Sequence, residues 1–239
     1  MQIGLLGYGK MGRAIEQIAL AQGMEIAWRI TRDNRETLNQ ALLRQADVVI
    51  EFSRPEAAFE NVMLCLQADV PVVCGTTGWN EQLSEARAYC LKQQGALLWA
   101  SNFSIGVNLF FALNRYLAQL MQERPEYRPA LTEIHHIHKL DAPSGTALTL
   151  VHELIANNNR TEGWALSPTP PGPDEVPVTA IREGEVPGTH IVQWQSEMDE
   201  IYIEHRAHSR MGFAGGALLA EQWILGKKGC YGMGDVLGL

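Results

Sequence analysis

Apolar positions along residues 1–105 follow two alternating patterns. "IGLL" (3–6), "EIAWRI" (25–30), "ADVVIEFS" (46–53), "VPVVCGTT" (70–77) and "ALLWASN" (96–102) are dense apolar runs of strand length. Between them, "MGRAIEQIALAQ" (11–22), "PEAAFENVMLCLQA" (55–68) and "NEQLSEARAYCLKQQ" (80–94) read as helices, the first with apolar residues at clear helical spacing. Strand and helix in turn predict βαβ units on a parallel sheet.

The pattern then changes. "GVNLFFALNRYLAQLM" (106–121) predicts one long apolar-faced helix, closed by the polar break "QERPEYRP". Strand-like segments follow at 130–138, 176–182, 188–195 and 198–206, with a helix near 145–157 and a Pro-rich loop, "SPTPPGPDEVP" (167–177). Strands in succession without helices between them predict a mostly antiparallel or mixed sheet. "GGALLAEQWILGK" (215–227) is helical again. The expected class is α/β: a parallel-sheet domain over 1–106 completed by 215–239, and an inserted α+β domain over 107–214.

Composition narrows the function classes. Hydrophobic residues at 46% support a buried core, and a net charge of -8 without a basic block argues against binding nucleic acid or an anionic membrane. No apolar run approaches the roughly 18–20 residues of a membrane span. The N-terminal residues lack the pattern of a secretion signal, so a cytoplasmic location is expected. Cys65, Cys74, Cys90 and Cys230 form no CxxC pair and are expected to be buried thiols rather than disulfides or a zinc site.

"GYGKMG" (7–12) satisfies G-x-G-x-x-G, a weak signal alone because glycines punctuate many turns. A strand leading in and a helix leading out strengthen it. Gly7 makes the tight turn, Gly9 lets a pyrophosphate approach the backbone, and Gly12 allows close helix–strand packing. A Rossmann-type domain that binds a dinucleotide is expected, against the plainer alternative of a glycine-lined turn. "CGTTGW" (74–79) and "WASNFSIGVN" (99–108) lie at the carboxyl ends of predicted strands, where such sheets bind ligands. A helix N-cap at Thr76 or Thr77 competes for the first, and a hinge at Asn102 and Phe103 for the second.

"EIHHIHKLDAPSGTAL" (133–148) holds three of the seven histidines. On a strand His136 and His138 share one face and His135 takes the other, which disfavours a three-histidine metal site, so no metal is expected. Ser144 is a candidate N-cap, after which Gly145 and Thr146 present backbone N–H groups to a carboxylate, with Lys139 nearby. The block combines an anion cradle with proton-transfer groups. Paired surface histidines at a sheet edge are the bland alternative.

This block resembles the signature of the 4-hydroxy-tetrahydrodipicolinate reductase family, E-x-H-H-x-x-K-x-D-x-P-S-G-T-A. "GYGKMGR", "EFSRPEA", "CGTTGW", "ASNFSIGVN", "REGEVPGTH" and "HRAHSRMGFAGGAL" resemble the family's other motifs, in its order. The resemblance implies a homotetrameric reductase of the lysine and diaminopimelate pathway that uses NADPH or NADH on a cyclic, conjugated imine with two carboxylates. It implies His135 as proton donor or acceptor and Lys139 as proton donor. His136, Ser144, Gly145 and Thr146 would hold the dicarboxylate. Gly7, Tyr8, Gly9, Lys10, Met11, Gly12, Gly75, Thr76, Thr77, Ala100, Ser101, Asn102 and Phe103 would contact the cofactor. Two other classes share the glycine loop: a different Rossmann-type amino-acid or imine dehydrogenase, and a nucleotide-sensing protein without turnover. The first would not need the His-His…Lys…Ser-Gly-Thr block; the mark of the second would be lost proton donors beside an intact glycine loop, whereas His135 and Lys139 are both present.

The chain departs from the family pattern in two places. The stretch between "TRDN" and "ADVVIEF" is short, and the carboxylate usual after the second strand is missing from its place. Thr31 and Arg32 stand there instead, with Asp33 one step on. A neutral hydroxyl and a guanidinium suit the 2′-phosphate of NADPH, so both cofactors with a preference for NADPH are expected.

Overall fold

The computed structural model describes residues 1–209 and 211–239; Arg210, within the "HRAHSRMGFAGGAL" stretch, lies outside the described residues. The chain divides into two compact units, Met1–Ile105 with Met211–Leu239, and Gly106–Arg210.

The first unit runs β1 (Gln2–Leu6), α1 (Lys10–Ala21), β2 (Glu25–Ile30), a 3-10 turn (Arg35–Thr37), α2 (Gln40–Leu43), β3 (Val48–Glu51), α3 (Pro55–Gln67), β4 (Val72–Cys74), α4 (Asn80–Lys92) and β5 (Ala96–Trp99). Its strands pair in parallel, β1 lying between β2 and β3. Both faces are covered, which is why β3 and β4 are continuously buried rather than alternating. Leu6, Val49, Val72 and Leu97 pack on one side with Val62, Cys65 and Cys90 of α3 and α4. Leu5, Ile50, Val73 and Leu98 pack on the other with Ile15 and Ala19 of α1.

The second unit holds α5 (Ile105–Leu120), β6 (Arg128–His135), α6 (Gly145–Ala156), β7 (Gly163–Leu166), β8 (Glu175–Arg182), β9 (Thr189–Gln195) and β10 (Glu200–Arg206). The strand order is β10–β9–β6–β8–β7, antiparallel at β10–β9 and β9–β6 and parallel at β6–β8 and β8–β7. The sheet is thus evenly mixed, the second of the two arrangements expected. The Pro-rich segment carries one of its parallel connections. Eight residues (167–174), turning at each end, bring the chain back along the short, four-residue β7 without a helix. Leu131, Val178, Val192 and Trp194 face the helices with Phe110, Leu150 and Leu154. Residues of the other parity, Thr132, Ile134, Thr179 and Ile191, are only half-buried.

The chain then returns to the first unit through α7 (Met211–Ile224), β11 (Gly229–Tyr231) and α8 (Met233–Leu237). β11 pairs with β5 and completes a six-stranded sheet, β11–β5–β4–β3–β1–β2. α7 begins before the expected residue 215, and Gly216 is a packing position within the helix, not its start. A Cβ on Gly216 would lie 1.7 Å from the Phe103 carbonyl oxygen. On this helix Glu221 has no exposed surface, and neither carboxylate oxygen has a hydrogen-bond partner among the described residues.

Candidate functional site

In the first unit, the loops after β1, β2 and β3 enclose a cavity of about 370 Å³ whose lining includes Gly7, Tyr8, Gly9, Thr31, Arg32 and Phe52. Gly7 has φ +90, and a Cβ there would lie 2.1 Å from the Phe52 carbonyl oxygen. A Cβ on Gly12 would lie 2.4 Å from Gly7 O, whereas around Gly9 nothing comes within 4 Å. The chain thus packs tightly at Gly7 and Gly12 but leaves the N-terminus of α1 open at Gly9, a shape that fits a pyrophosphate. Thr31 is folded into its own turn, its N–H donating to Asn34 Oδ1 at 2.7 Å. Asp33 does not line the cavity.

A second recess of about 350 Å³ is lined by Gly9, Lys10, Met11, Gly75, Thr76 and Thr77, with Phe52, Ser53 and Pro55. Thr76 is not a helix cap: its Oγ1 accepts from Ser53 N at 2.9 Å, and Trp79 is the N-cap of α4. Ala100 and Phe103 are core residues at 8% and 1% exposure, so any cofactor contact from them comes through the backbone. Ser101 is exposed, and Asn102 Oδ1 accepts from Ser104 N at 2.9 Å.

Local pattern missed Arg35, Phe52, Ser53 and Arg54, all lining the larger cavity. Beneath them lies Glu51, fully buried, accepting from Ser53 N, Asn61 Nδ2 and Cys74 Sγ at 3.1 Å each. A glutamate closing an apolar strand in "VVIEFS" was the available signal.

In the second unit, sheet register builds the site. β6 ends at His135, so His136 and His138 lie beyond the strand, not on one of its faces; their rings stand 6.2 Å apart. Glu133 pairs across with His190 of β9, and His135 with Arg182 of β8, all on the helix-facing side. Glu133 is the hub. Its carboxylate meets His135 Nδ1 at 3.0 Å, Ser144 N at 3.0 Å and Arg182 at 3.0 Å. Burial pushes this carboxyl up, but the bonds from His135, Ser144 and Arg182 outweigh it and hold it down at about 2. Arg182 also donates to the carbonyls of Lys139 at 3.3 Å and Asp141 at 2.6 Å, pinning the loop that carries Lys139.

Lys139 is more enclosed than an extended surface lysine. Its side chain is 21% exposed, and Nζ donates to both oxygens of Asp141 at 2.8 Å. Ser144, expected among the substrate ligands, has its polar atoms engaged within the protein. It is 3% exposed, its N–H goes to Glu133, and its Oγ caps Ala147 N at 3.2 Å and meets His190 Nε2 at 3.1 Å. Gly145 is exposed with open space about it, and Thr146 is half-buried beside it. Gly188 lies against His135; a Cβ there would stand 3.0 Å from Nε2, so glycine preserves room at that nitrogen. Glu133, His135 and His190 could also converge on a metal ion, their donor atoms lying within 4.8 Å of one another. Arg182 and Ser144 already hold that carboxylate, which favours a hydrogen-bonded hub.

Burial and the neighbouring His135 push His190 down to about 4, from 6.5. From pH 6.5 down to 4 the unfolded chain therefore takes a proton the folded chain refuses, and stability falls with acid. Burial pushes Glu221 the other way, from 4.5 up to about 7. Between those values the folded chain keeps a proton the unfolded chain has lost, and stability falls as pH rises. Each effect is on the order of 3 kcal/mol across its window, and the two oppose. Urea unfolding at pH 5, 6 and 7 should find Glu221→Gln gaining stability with pH and His190→Asn losing it. Identical pH slopes in both variants would refute the two assignments.

The comparisons agree with this architecture. Two family models match, "Dihydrodipicolinate reductase, N-terminus" over residues 1–103 and "Dihydrodipicolinate reductase, C-terminus" over residues 106–237. A 4-hydroxy-tetrahydrodipicolinate reductase of Christiangramia forsetii is 45% identical over 99% of this chain and 98% of its own. One from Neisseria meningitidis is 36% identical over 83% of this chain and 75% of its own. Among solved structures, a dipicolinate-bound dihydrodipicolinate reductase from Paenisporosarcina sp. TG-14 shares the fold with a TM-score of 0.77 at 22% identity, covering 98% of both chains. An amine dehydrogenase from Mycobacterium smegmatis shares it more loosely, with a TM-score of 0.55 at 10% identity, covering 95% of this chain and 93% of its own.

Proposed function

The chain belongs to the dihydrodipicolinate reductase family, NAD(P)H-dependent oxidoreductases that reduce 4-hydroxy-tetrahydrodipicolinate in lysine and diaminopimelate biosynthesis, and from that premise we propose how its residues divide the work. The first unit binds the dinucleotide along Gly7–Gly12, Gly75–Thr77 and the backbone of 100–103. The second binds the dicarboxylate at the N-terminus of α6, through Gly145, Thr146 and His136. One observation carries this division: His135, the Lys139 loop and the start of α6 are all tied to Glu133 and Arg182.

Bound NADPH or NADH supplies the hydride. Glu133 holds His135 through Nδ1, which in the neutral ring places the proton there and leaves Nε2, beside Gly188, to give or take one. Lys139 delivers its proton from Nζ, and a substrate carboxylate displaces Asp141 from that ammonium by charge competition. The test is NADPH oxidation with the condensation product of pyruvate and aspartate semialdehyde. A chain that binds NADPH yet oxidises none with that product would overturn the proposal.

NADPH preference rests on charge at the cavity mouth, where Arg32, Arg35 and Arg54 all line the wall. Arg32 is 81% exposed and only 3.9 Å from Asp33, a weak pairing that leaves it able to meet a 2′-phosphate. Arg32→Ala should raise KM for NADPH about tenfold and leave KM for NADH within about twofold. Equal effects on the two cofactors would remove Arg32 as the phosphate reader.

A cytoplasmic homotetramer built through the second unit completes the proposal. Four free thiols and the absence of any membrane-length apolar helix among the described residues support the location. The half-buried sheet face, with edge strand β10 exposing Ile201 and Tyr202, supports assembly. Light scattering that reports a monomer at micromolar concentration would refute the tetramer.

A further inference from the structure

Cys90 and Cys230 are 140 residues apart in sequence but meet in one cluster, Cys90 buried on α4 and Cys230 half-buried on β11. Their contacts interlock. Cys90 Sγ lies 3.4 Å from the Gly229 carbonyl oxygen, next to Cys230, while Cys230 Sγ lies 3.6 Å from the Arg87 carbonyl oxygen, one turn before Cys90. Helical side chains lean toward the N-terminus, so Cys90 reaches over the turn on which Cys230 rests. Each sulfur thus rests on the backbone next to the other cysteine, which brings the two thiols side by side.

We propose that Cys90 and Cys230 form a reversible, peroxide-driven disulfide that ties β11 to α4. Cys230 is the one cysteine of the four that is not buried, so it meets the oxidant first. Its thiolate attacks hydrogen peroxide, the O–O bond breaks, hydroxide leaves and Cys230 becomes a sulfenic acid. Cys90 sulfur then displaces the sulfenic oxygen, which leaves as water with the Cys90 proton. Two thiols and one peroxide give one disulfide and two waters. Burial and the adjacent Cys230 push the Cys90 thiol up to about 12, so Cys90 stays protonated and is not itself the first target of the oxidant; it attacks only once the sulfenic acid stands beside it, passing its proton to the departing oxygen. Cys65 and Cys74, both fully buried, are bystanders.

The bond would fasten a three-residue edge strand to the helix beneath it. Treating the full chain with a small excess of hydrogen peroxide should lower its mass by about 2 Da and remove two titratable thiols, reversibly with dithiothreitol. A tryptic digest should join residues 88–92 to residues 229–239. The oxidised protein should melt roughly 5–10 °C higher. Cys90→Ser and Cys230→Ser should each abolish the linked peptide, whereas Cys65→Ser should keep it. A linked Cys65–Cys74 peptide, or Cys230 driven to sulfinic acid in the unsubstituted chain, would overturn the proposal.

Discussion

Lys139→Ala is expected to lower turnover by about two to four orders of magnitude, the range for losing a proton-transfer group, with little loss of folding. Lys139 meets substrate charge and a proton requirement with one ammonium, and its recorded side-chain partner is the exposed Asp141 carboxylate. Breaking such a pair costs about 1 kcal/mol or less. Lys139→Arg separates the two roles. A guanidinium still attracts the dicarboxylate but releases no proton near neutral pH, so KM should recover toward the starting value while kcat stays low. Near-native kcat in a folded Lys139→Ala protein would take Lys139 out of the mechanism.

Glu133→Gln should cut kcat by about two to three orders of magnitude although Glu133 is fully buried. Its carboxylate accepts from a backbone N–H and a guanidinium and lies 3.0 Å from the His135 ring nitrogen, and an amide cannot serve all three. An amide NH₂ turned toward Nδ1 would move the neutral ring's proton to Nε2, the wrong tautomer for the proposed exchange. Stability should fall as well, on the order of 3 kcal/mol at neutral pH, because the Arg182 charge loses its partner. The sign with pH follows from the lowered carboxyl. The stabilisation is complete above about 4.5 and fades as pH falls toward about 2, so the variant and the parent should converge in strong acid. A kcat within about fivefold of the parent, with unchanged pH dependence, would leave Glu133 a purely structural residue.

The glycine loop and the start of α6 were legible because each is a local problem. Gly7, Gly9 and Gly12 answer to one turn, and Ser144 to one helix end. The hub was not legible, because Glu133, Arg182 and His190 meet only through strand register, and register is not written within any one strand. Strands β7 and β11 were missed for related reasons. β7 carries four residues before a proline segment that conceals its parallel partner, and β11 carries two glycine-flanked residues whose pairing depends on distant β5. Ser144 was legible as the cap of α6, but its hydroxyl's contact with His190 was not, because sequence names a cap but not what lies behind it.

The discontinuity of the first unit sets an order for synthesis. Residues 106–210 emerge as one uninterrupted stretch and can close their own core while the ribosome is still working. The earlier unit cannot. Leu5, Ile50 and Leu98 keep an uncovered flank until Ala214, Ala217, Leu218 and Ile224 arrive on α7, and β5 keeps a bare edge until β11 follows. The segment translated first is therefore completed last. Throughout the intervening hundred or so codons the nascent chain displays aliphatic surface of the kind that chaperones bind, and a message cut short before α7 would release a finished second unit fused to a sticky, half-covered sheet.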